Sequence, residues 1–438
     1  VEIADVDSRA FPDFKYGIAS GMKKESQTFF NHLLSENRPV IEFLSADYTF
    51  LNEKLARYYD GAGIAADQWE LYDLETDPDE QINLAAPGFV PTPEQAASRA
   101  RLRVIAQPVL GLQPEGHGYR LRLGDGGTLH AAQAVLATGN SMRPLPVAGA
   151  DALPADDVIE AWDYDGVRTL AGGHAVAIVG SGLSMADTVL ALVAAGHSGP
   201  LHVISRHGLL PLPHAHGGLP AFDPDALLAM TLRQRVRALR ALARQAQADG
   251  LPWQGVMDRI RPHGQALWCS LDEADQRRFL RHVVRYWDVH RHRIAGEVHA
   301  QLQALQDSGQ LRIHRARLQR VWREGDALQL SGRGQQWTIG GVINATGVET
   351  RASALRNPLL RQLLADGLAR PGPHGLGLDS EVPGDRLRAA DGQPQARLGV
   401  LGSLRIGSLW ESLAVPELRQ QAQALAAQAV AGAATAMP

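Results

Sequence analysis

The run Val176-Ala-Ile-Val-Gly180-Ser181-Gly182-Leu-Ser184-Met185-Ala186-Asp187 constrains the fold more than any other stretch, because an apolar strand passes through two glycines directly into a helical pattern. Such a strand can turn tightly at Gly180, allow close backbone approach at Gly182, and aim the unpaired N–H groups of the next helix at whatever lies ahead of it. The expected occupant is an anion, above all the pyrophosphate of a dinucleotide. Met185 stands where a third glycine would complete the fingerprint, so helix and strand would have to pack through Ser184 and Ala186.

Spacing supports this reading. The helical pattern Ser184–Ala195 ends at Gly196, and Leu201–Ser205 is a second apolar strand that ends at Arg206. An acidic residue at that tip would take the ribose hydroxyls of NAD, whereas Arg206, with His207 beside it, suits a 2′-phosphate. NADP(H) is therefore the expected coenzyme, with Gly180, Ser181, Gly182 and Ser184 around its pyrophosphate. The competing reading is a phosphate-free Rossmann-like turn in which Arg206 is a surface cation.

Two further segments echo each other. Ala134-Val-Leu-Ala-Thr138-Gly139-Asn140 and Val342-Ile-Asn-Ala-Thr346-Gly347 are apolar strands closing on Thr-Gly, and they bracket the dinucleotide motif as the two crossings of an inserted domain would. Near the end, Leu398–Arg419 reads as a strand, a glycine-rich turn through Gly402 and Gly407, and a helix with Pro416 near its start. That helix is placed to present its positive end to a flavin.

Together these residues resemble the bacterial FAD-NAD(P)-binding protein family, two-dinucleotide flavoproteins related to glutathione reductase and the flavin monooxygenases. The likeness covers about residues 88–430. It is carried by the GSGLSMAD turn, Ile204–Pro211, Tyr286-Trp-Asp-Val-His290-Arg-His-Arg293 and Trp410-Glu-Ser-Leu-Ala-Val-Pro-Glu-Leu-Arg419. The resemblance implies NAD(P)H as reductant, FAD as acceptor and a small-molecule final substrate of unknown identity. It also implies that Thr138, Gly139, Thr346 and Gly347 belong to the cofactor sites and that Gly402, Trp410 and Glu411 lie along the isoalloxazine. One piece is missing, because no strand with GxGxxG for the ADP half of FAD precedes residue 88. Gly61-Ala-Gly63-Ile-Ala-Ala66 follows a polar, helical lead-in and is read as coincidence.

What stands there has another composition. Lys15, Lys23, Lys24 and Lys54 are the only lysines, and six of the nine phenylalanines fall between Phe11 and Phe50. Phe11–Tyr59, with its amphipathic pattern Met22–Leu34, resembles a domain of unknown function in large secreted bacterial proteins often coupled to c-type cytochromes; the likeness is carried by Lys24–Phe30, Asn37–Val40 and Ala46–Arg57. No CxxCH follows it. Trp69–Leu84 looks like the C-terminal tail of bacterial sulfatases, without their nucleophile signature. No sulfatase activity is expected.

Length and charge exclude other classes. At 438 residues the chain can bury two or three cores, and a net charge of −4 offers no general attraction to nucleic acid. The most apolar stretch, Ala175–Ala195, is broken by Asp187 and glycines, so no membrane span is expected. No signal peptide opens the chain, and a cytoplasmic location is expected. A single cysteine, Cys269, excludes a CxxC pair, and it reads as a packed core residue. His282, His290, His292 and His299 lack the i, i+4 spacing and companion ligands of a metal site, so no metal is expected. His214 and His216, on the loop Pro211–Gly218, are the candidate catalytic residues, with an incidental placement on a Pro/Gly loop as the alternative.

The expected fold is α/β: a Rossmann-like NAD(P)-binding domain over 141–339, with a helical cap over 220–310, inserted in an incomplete FAD-binding domain over 88–140 and 340–438. A short α-helical segment of foreign type, 1–60, and a sulfatase-tail-like linker, 61–87, precede it. The expected activity is hydride transfer from NADPH to flavin and on to an acceptor. Two rivals stay open: a non-catalytic NAD(P)-binding remnant or fusion artefact without flavin, and an interaction module built on the opening helices.

Overall fold

The computed structural model describes residues 103–434 and two earlier strands, β1 (Tyr48–Leu51) and β2 (Glu70–Asp73). The chain divides into two units, Val1–Ala106 and Gln107–Pro438. In the first, β1 and β2 pair antiparallel, with Tyr48 opposite Asp73. Tyr48-Thr-Phe50 is thus extended where the sequence reading places a helical segment, as suits aromatic and β-branched residues. The helix expected over Met22–Leu34 and most of the sulfatase-like tail lie outside the described residues.

The second unit opens with an antiparallel meander, β3 (Val109–Glu115), β4 (Gly118–Leu123) and β5 (Thr128–Ala131), followed by β6 (Ala134–Leu136). Next come β7 (Val158–Glu160), α1 (Tyr164–Thr169), β8 (Val176–Val179), α2 (Leu183–Ala194) and β9 (Leu201–Ser205). A helical cap follows: α3 (Leu232–Ala248), α4 (Gln254–Ile260), α5 (Gly264–Cys269), α6 (Glu273–Arg278), α7 (Val284–Arg291) and α8 (Gly296–Asp307). The chain returns as β10 (Leu311–Arg315), makes a second meander of β11 (Leu318–Glu324), β12 (Ala327–Gly332) and β13 (Gln335–Ile339), and re-enters as β14 (Gly341–Asn344). Helix α9 (Pro358–Ala365), β15 (Arg386–Arg388), β16 (Pro394–Val400), α10 (Ile406–Leu409) and α11 (Val415–Ala434) complete it.

Five of these strands form one parallel sheet in the order β10-β9-β8-β14-β7. Both faces are covered, which is why β8 reads as an unbroken apolar run and is buried at all four residues. Val176 and Ile178 meet Met185, Ala186, Val189 and Leu192 of α2 on one face. The alternate residues Ala177 and Val179 meet Val321, Leu330, Trp337 and Ile339 of the second meander on the other. Helix α2 stops as its sequence directs. Gly196 takes φ 86°, and the N–H groups of Gly196 and His197 return to the carbonyls of Val193 and Leu192.

A smaller sheet has the order β15-β16-β6, with β16 and β6 parallel and Leu136 opposite Val400. Its core joins Leu136, Leu398 and Val400 to Leu112 of the first meander and to Leu359, Leu360 and Leu363 of α9. One expected boundary moves. The sequence reading gives 340–438 to the flavin-binding half, but β14 lies between β8 and β7, so the five-stranded parallel sheet runs to Asn344. Gly341–Asn344 is buried at every residue, and such a strand belongs in a sheet covered on both sides. No helix among the described residues is long and apolar enough to cross a membrane.

Candidate functional site

The C-terminal ends of β8, β9 and β14 bring the first group of expected residues together. Gly180 has φ +117°, and a Cβ there would sit 2.1 Å from the carbonyl oxygen of Ala345. Glycine is therefore required by the neighbouring strand as well as by the turn. Gly182 caps α2, and a Cβ at that position would meet no atom within 4 Å. Open space thus lies at the start of a twelve-residue helix whose first N–H groups have no intrahelical partners.

The Ser181 hydroxyl is engaged by the chain itself. Its hydroxyl lies 2.6 Å from the carbonyl of Leu209 and 3.0 Å from Ser205 Oγ, which in turn accepts from Gly208 N–H at 2.9 Å. With one proton per hydroxyl, the chain runs Gly208 N–H to Ser205 to Ser181 to Leu209, and it fixes the loop that carries Arg206 and His207. Ser184 Oγ accepts from the Trp162 indole N–H at 3.2 Å, and Trp162 and Leu183 are both about two-fifths exposed, at 43% and 41%.

Arg206 is not alone. Burial lowers its proton affinity, and the positive charges of Arg285 and Arg317 lower it further. His207 is lowered by burial, then by Arg206, Arg285 and Arg315. For Arg143 burial again acts first, opposed by Glu349 and reinforced by Arg285, Arg351 and Arg206. The register explains the clustering: Ser205 pairs with Arg315, so Arg206 and Arg317 leave adjacent strand ends, while Arg285 comes from the cap helix α7. Like charges held together are unfavourable until an anion joins them. Sequence reasoning found Arg206 and missed Arg143, Arg285 and Arg317, which are far apart in the chain.

Thr346 and Gly347 join this group through Asn344, which is 1% exposed. The Asn344 amide donates to the Arg143 carbonyl at 2.7 Å and to the Glu160 carboxylate at 2.9 Å, while its oxygen accepts from Thr346 Oγ1 at 2.7 Å. The two crossings run side by side. Met142 bridges Val348 antiparallel, Arg143 N–H reaches the Gly347 carbonyl, and Glu349 N–H reaches that of Ser141 at 2.7 Å. Glu349 is 5% exposed, and its hydrogen bonds with Arg351 hold its carboxyl at about 2.

Thr138 and Gly139 belong elsewhere, with Gly402. Ser403 Oγ donates to the Gly139 carbonyl at 2.8 Å, where the parallel strands β6 and β16 end. The Gly402 N–H donates to Gln421 Oε1 of α11 at 3.0 Å, and Ser412 Oγ donates to the Gly402 carbonyl at 3.1 Å.

Trp410 and Glu411 are engaged by the cap, where the sequence reading laid them along a flavin ring. Trp410 stacks on Trp268, with centroids 5.2 Å apart and planes at 27°, and meets Phe279 edge-on at 5.3 Å. Glu411 pairs with Arg291 at 3.1 Å and accepts from the Trp287 indole at 3.2 Å. Both rings and carboxylate thus fasten the C-terminal turn to α5 and α7. Cys269, read as a core residue, is exposed, 3.6 Å from the Ser408 carbonyl.

His214 and His216 are exposed on a loop pinned to the end of α7: Pro213 bridges Ile294, and His214 N–H reaches the Ile294 carbonyl at 2.8 Å. Among the described residues, no group of three or more His, Cys, Asp or Glu is placed to hold a metal ion.

Comparison with known proteins adds the following. A family model described as "PSD4: Protein of unknown function (DUF1592)" matches residues 1–60. No curated protein matches the chain. Among solved structures, the chain is similar to the reduced form of ornithine hydroxylase from Pseudomonas aeruginosa, at 18% identity over 76% of this chain and 73% of that one, with a TM-score of 0.48. It is also similar to the bacillithiol disulfide reductase of Staphylococcus aureus, at 13% identity over 80% and 81% and a TM-score of 0.45. A third is the FAD-bound cadaverine monooxygenase of Erwinia amylovora, at 14% identity over 76% and 71% and a TM-score of 0.45.

Proposed function

We propose that this chain is an NADP(H)-dependent oxidoreductase of the flavoprotein type. The observation that carries the reading is the open space at Gly182, at the start of α2, with Arg206 on the adjacent strand end inside a cluster of arginines. Gly182 and the α2 N-terminus would take the pyrophosphate, because backbone donors and helix dipole both favour an anion there. Arg206, with Arg285 and Arg143, would take the 2′-phosphate, whose charge offsets their mutual repulsion. The exposed Trp162 and Leu183 offer flat apolar surface beside the turn. When bound, the nicotinamide supplies a hydride and a flavin accepts it.

Support for the flavin is narrower. It rests on the paired turns at Gly139 and Gly402, which meet at the ends of two parallel strands. Trp410 and Glu411 are committed to the cap, and at the second strand-glycine-helix turn the N–H and carbonyl of Gly402 are already taken by Gln421 and Ser412. That commitment favours a second reading, an NADP(H)-binding protein without flavin. Visible absorption of the purified chain, incubated with FAD and then mixed anaerobically with NADPH, separates the two. A protein-bound flavin spectrum that bleaches is the outcome expected for the oxidoreductase. A colourless protein that still binds NADP⁺ by calorimetry leaves the second reading, and absence of NADP⁺ binding overturns both.

A further inference from the structure

The start of α2 is flanked by unlike surfaces. On the β9 side stand Arg206 and its companion arginines, and on the other side, beyond β14, the end of β7 leads into Trp162. We propose that Trp162 stacks on the nicotinamide ring of a bound coenzyme and holds the oxidised, cationic ring more tightly than the reduced one. The assignment rests on the coenzyme reading and extends it to the second half of the ligand.

Topology assigns the two halves. In the order β10-β9-β8-β14-β7, a ligand whose pyrophosphate meets the start of α2 sends one nucleoside over β9 and the other over β14 and β7. NADP(H) has a single 2′-phosphate, on its adenosine, and the arginines suited to it stand on the β9 side. The nicotinamide half is left for the β7 side, where Trp162 leaves a strand two places, about 10 Å, from β8.

Trp162 is fixed while its ring stays open. The preceding residue, Ala161, is buried and donates its N–H to the Asn344 carbonyl at 3.1 Å, and the following residue, Asp163, caps α1 by accepting from Gly166 N–H at 3.0 Å. The indole N–H donates to Ser184 Oγ in the first turn of α2, which ties the ring to the coenzyme turn. Its exposed surface is joined by that of Leu183 and Tyr164. A side chain anchored in this way has given up rotamer freedom before a ligand arrives, so stacking costs little further entropy.

Charge decides between the redox states. Beside Trp162, the Tyr164 hydroxyl is raised by burial and then by the negative charge of Asp187, which α2 carries. Oxidised nicotinamide is a cation and reduced nicotinamide is neutral. The electron-rich face of the indole and the Asp187 carboxylate therefore both favour the oxidised ring.

The test is calorimetry on the full chain with NADP⁺, NADPH and 2′-phospho-ADP-ribose, which lacks only the nicotinamide. Wild type is expected to bind NADP⁺ about tenfold tighter than 2′-phospho-ADP-ribose and about threefold tighter than NADPH. Trp162→Leu is expected to weaken NADP⁺ about tenfold and NADPH about threefold, to leave 2′-phospho-ADP-ribose unchanged, and so to bring the two redox states near parity. Trp162→Phe, which keeps a ring, should recover most of the lost affinity. Equal weakening of all three ligands in a cooperatively folded Trp162→Leu, or of none, overturns the proposal. If that variant does not fold, wild type decides alone, because NADP⁺ binding no tighter than 2′-phospho-ADP-ribose also overturns it while leaving the coenzyme reading in place. A wild type that binds none of the three overturns both.

Discussion

The turn at Gly180–Gly182 and the turn at Gly402 look alike as sequence, each a strand running through glycine toward a helix, yet they use their backbone donors differently. In the first, Gly180 is fixed by the carbonyl of Ala345, and the space beside Gly182 is left open at the start of α2. In the second, the Gly402 N–H is taken by Gln421 and its carbonyl by Ser412. A buried donor that already has a partner gains little from a ligand. The first turn leaves open space at its helix start, where the proposed function puts an anion, and the second is satisfied by the chain itself.

The comparison breaks most visibly at Gly180. Gly180→Ala forces a Cβ into the Ala345 carbonyl, and the expected loss is roughly 4 kcal/mol in urea denaturation. Gly182→Ala should leave stability within about 1 kcal/mol but weaken NADP⁺ binding at least about tenfold by calorimetry. Equal destabilisation by the two would show that Gly182 is also structural.

Acid tests the crossing beside the first turn. Glu349 has a folded pKa of about 2 against an ordinary 4.5, so its contribution is complete above pH 4.5 and is lost as pH falls toward 2. The ceiling is about 3 kcal/mol, reduced because Arg351 is largely exposed to solvent. Glu349→Gln should flatten the stability profile across that window, measured by urea midpoints.

Arg206→Gln sharpens the coenzyme side. It should weaken NADP⁺ about 10- to 100-fold and leave NAD⁺ unchanged, read by paired titrations. The smallest effect is expected at the second turn. Gln421→Leu strips the Gly402 N–H of its acceptor and should cost roughly 1 kcal/mol in thermal or urea unfolding, with NADP⁺ affinity unmoved.

What could be read from the sequence was local. Val176–Asp187 and the strand ending at Arg206 carry their structure in adjacent residues, and β8, α2 and β9 fall where their patterns place them. The placement of β14 was not legible, because a buried apolar strand does not encode which neighbours it pairs with. Arg143 and Arg285 escaped for a related reason: Arg143 comes to Arg206 from the crossing before β7 and Arg285 from the cap helix α7, each far from it in the chain. Trp410 and Glu411 were found as a motif, but their contacts with Trp268 and Arg291, over a hundred residues away, were not legible.

The paired crossings have a mechanical consequence. Where two domains are joined by separate strings, each string bends and twists on its own. Here Ser141–Arg143 and Gly347–Glu349 are cross-linked by backbone hydrogen bonds and a β-bridge, so they act as a ribbon. A ribbon bends readily across its flat face and resists torsion and shear. The ribbon therefore resists torsion and shear between the parallel sheet and the smaller sheet, and the cap's hold on Trp410 and Glu411 ties the two a second time.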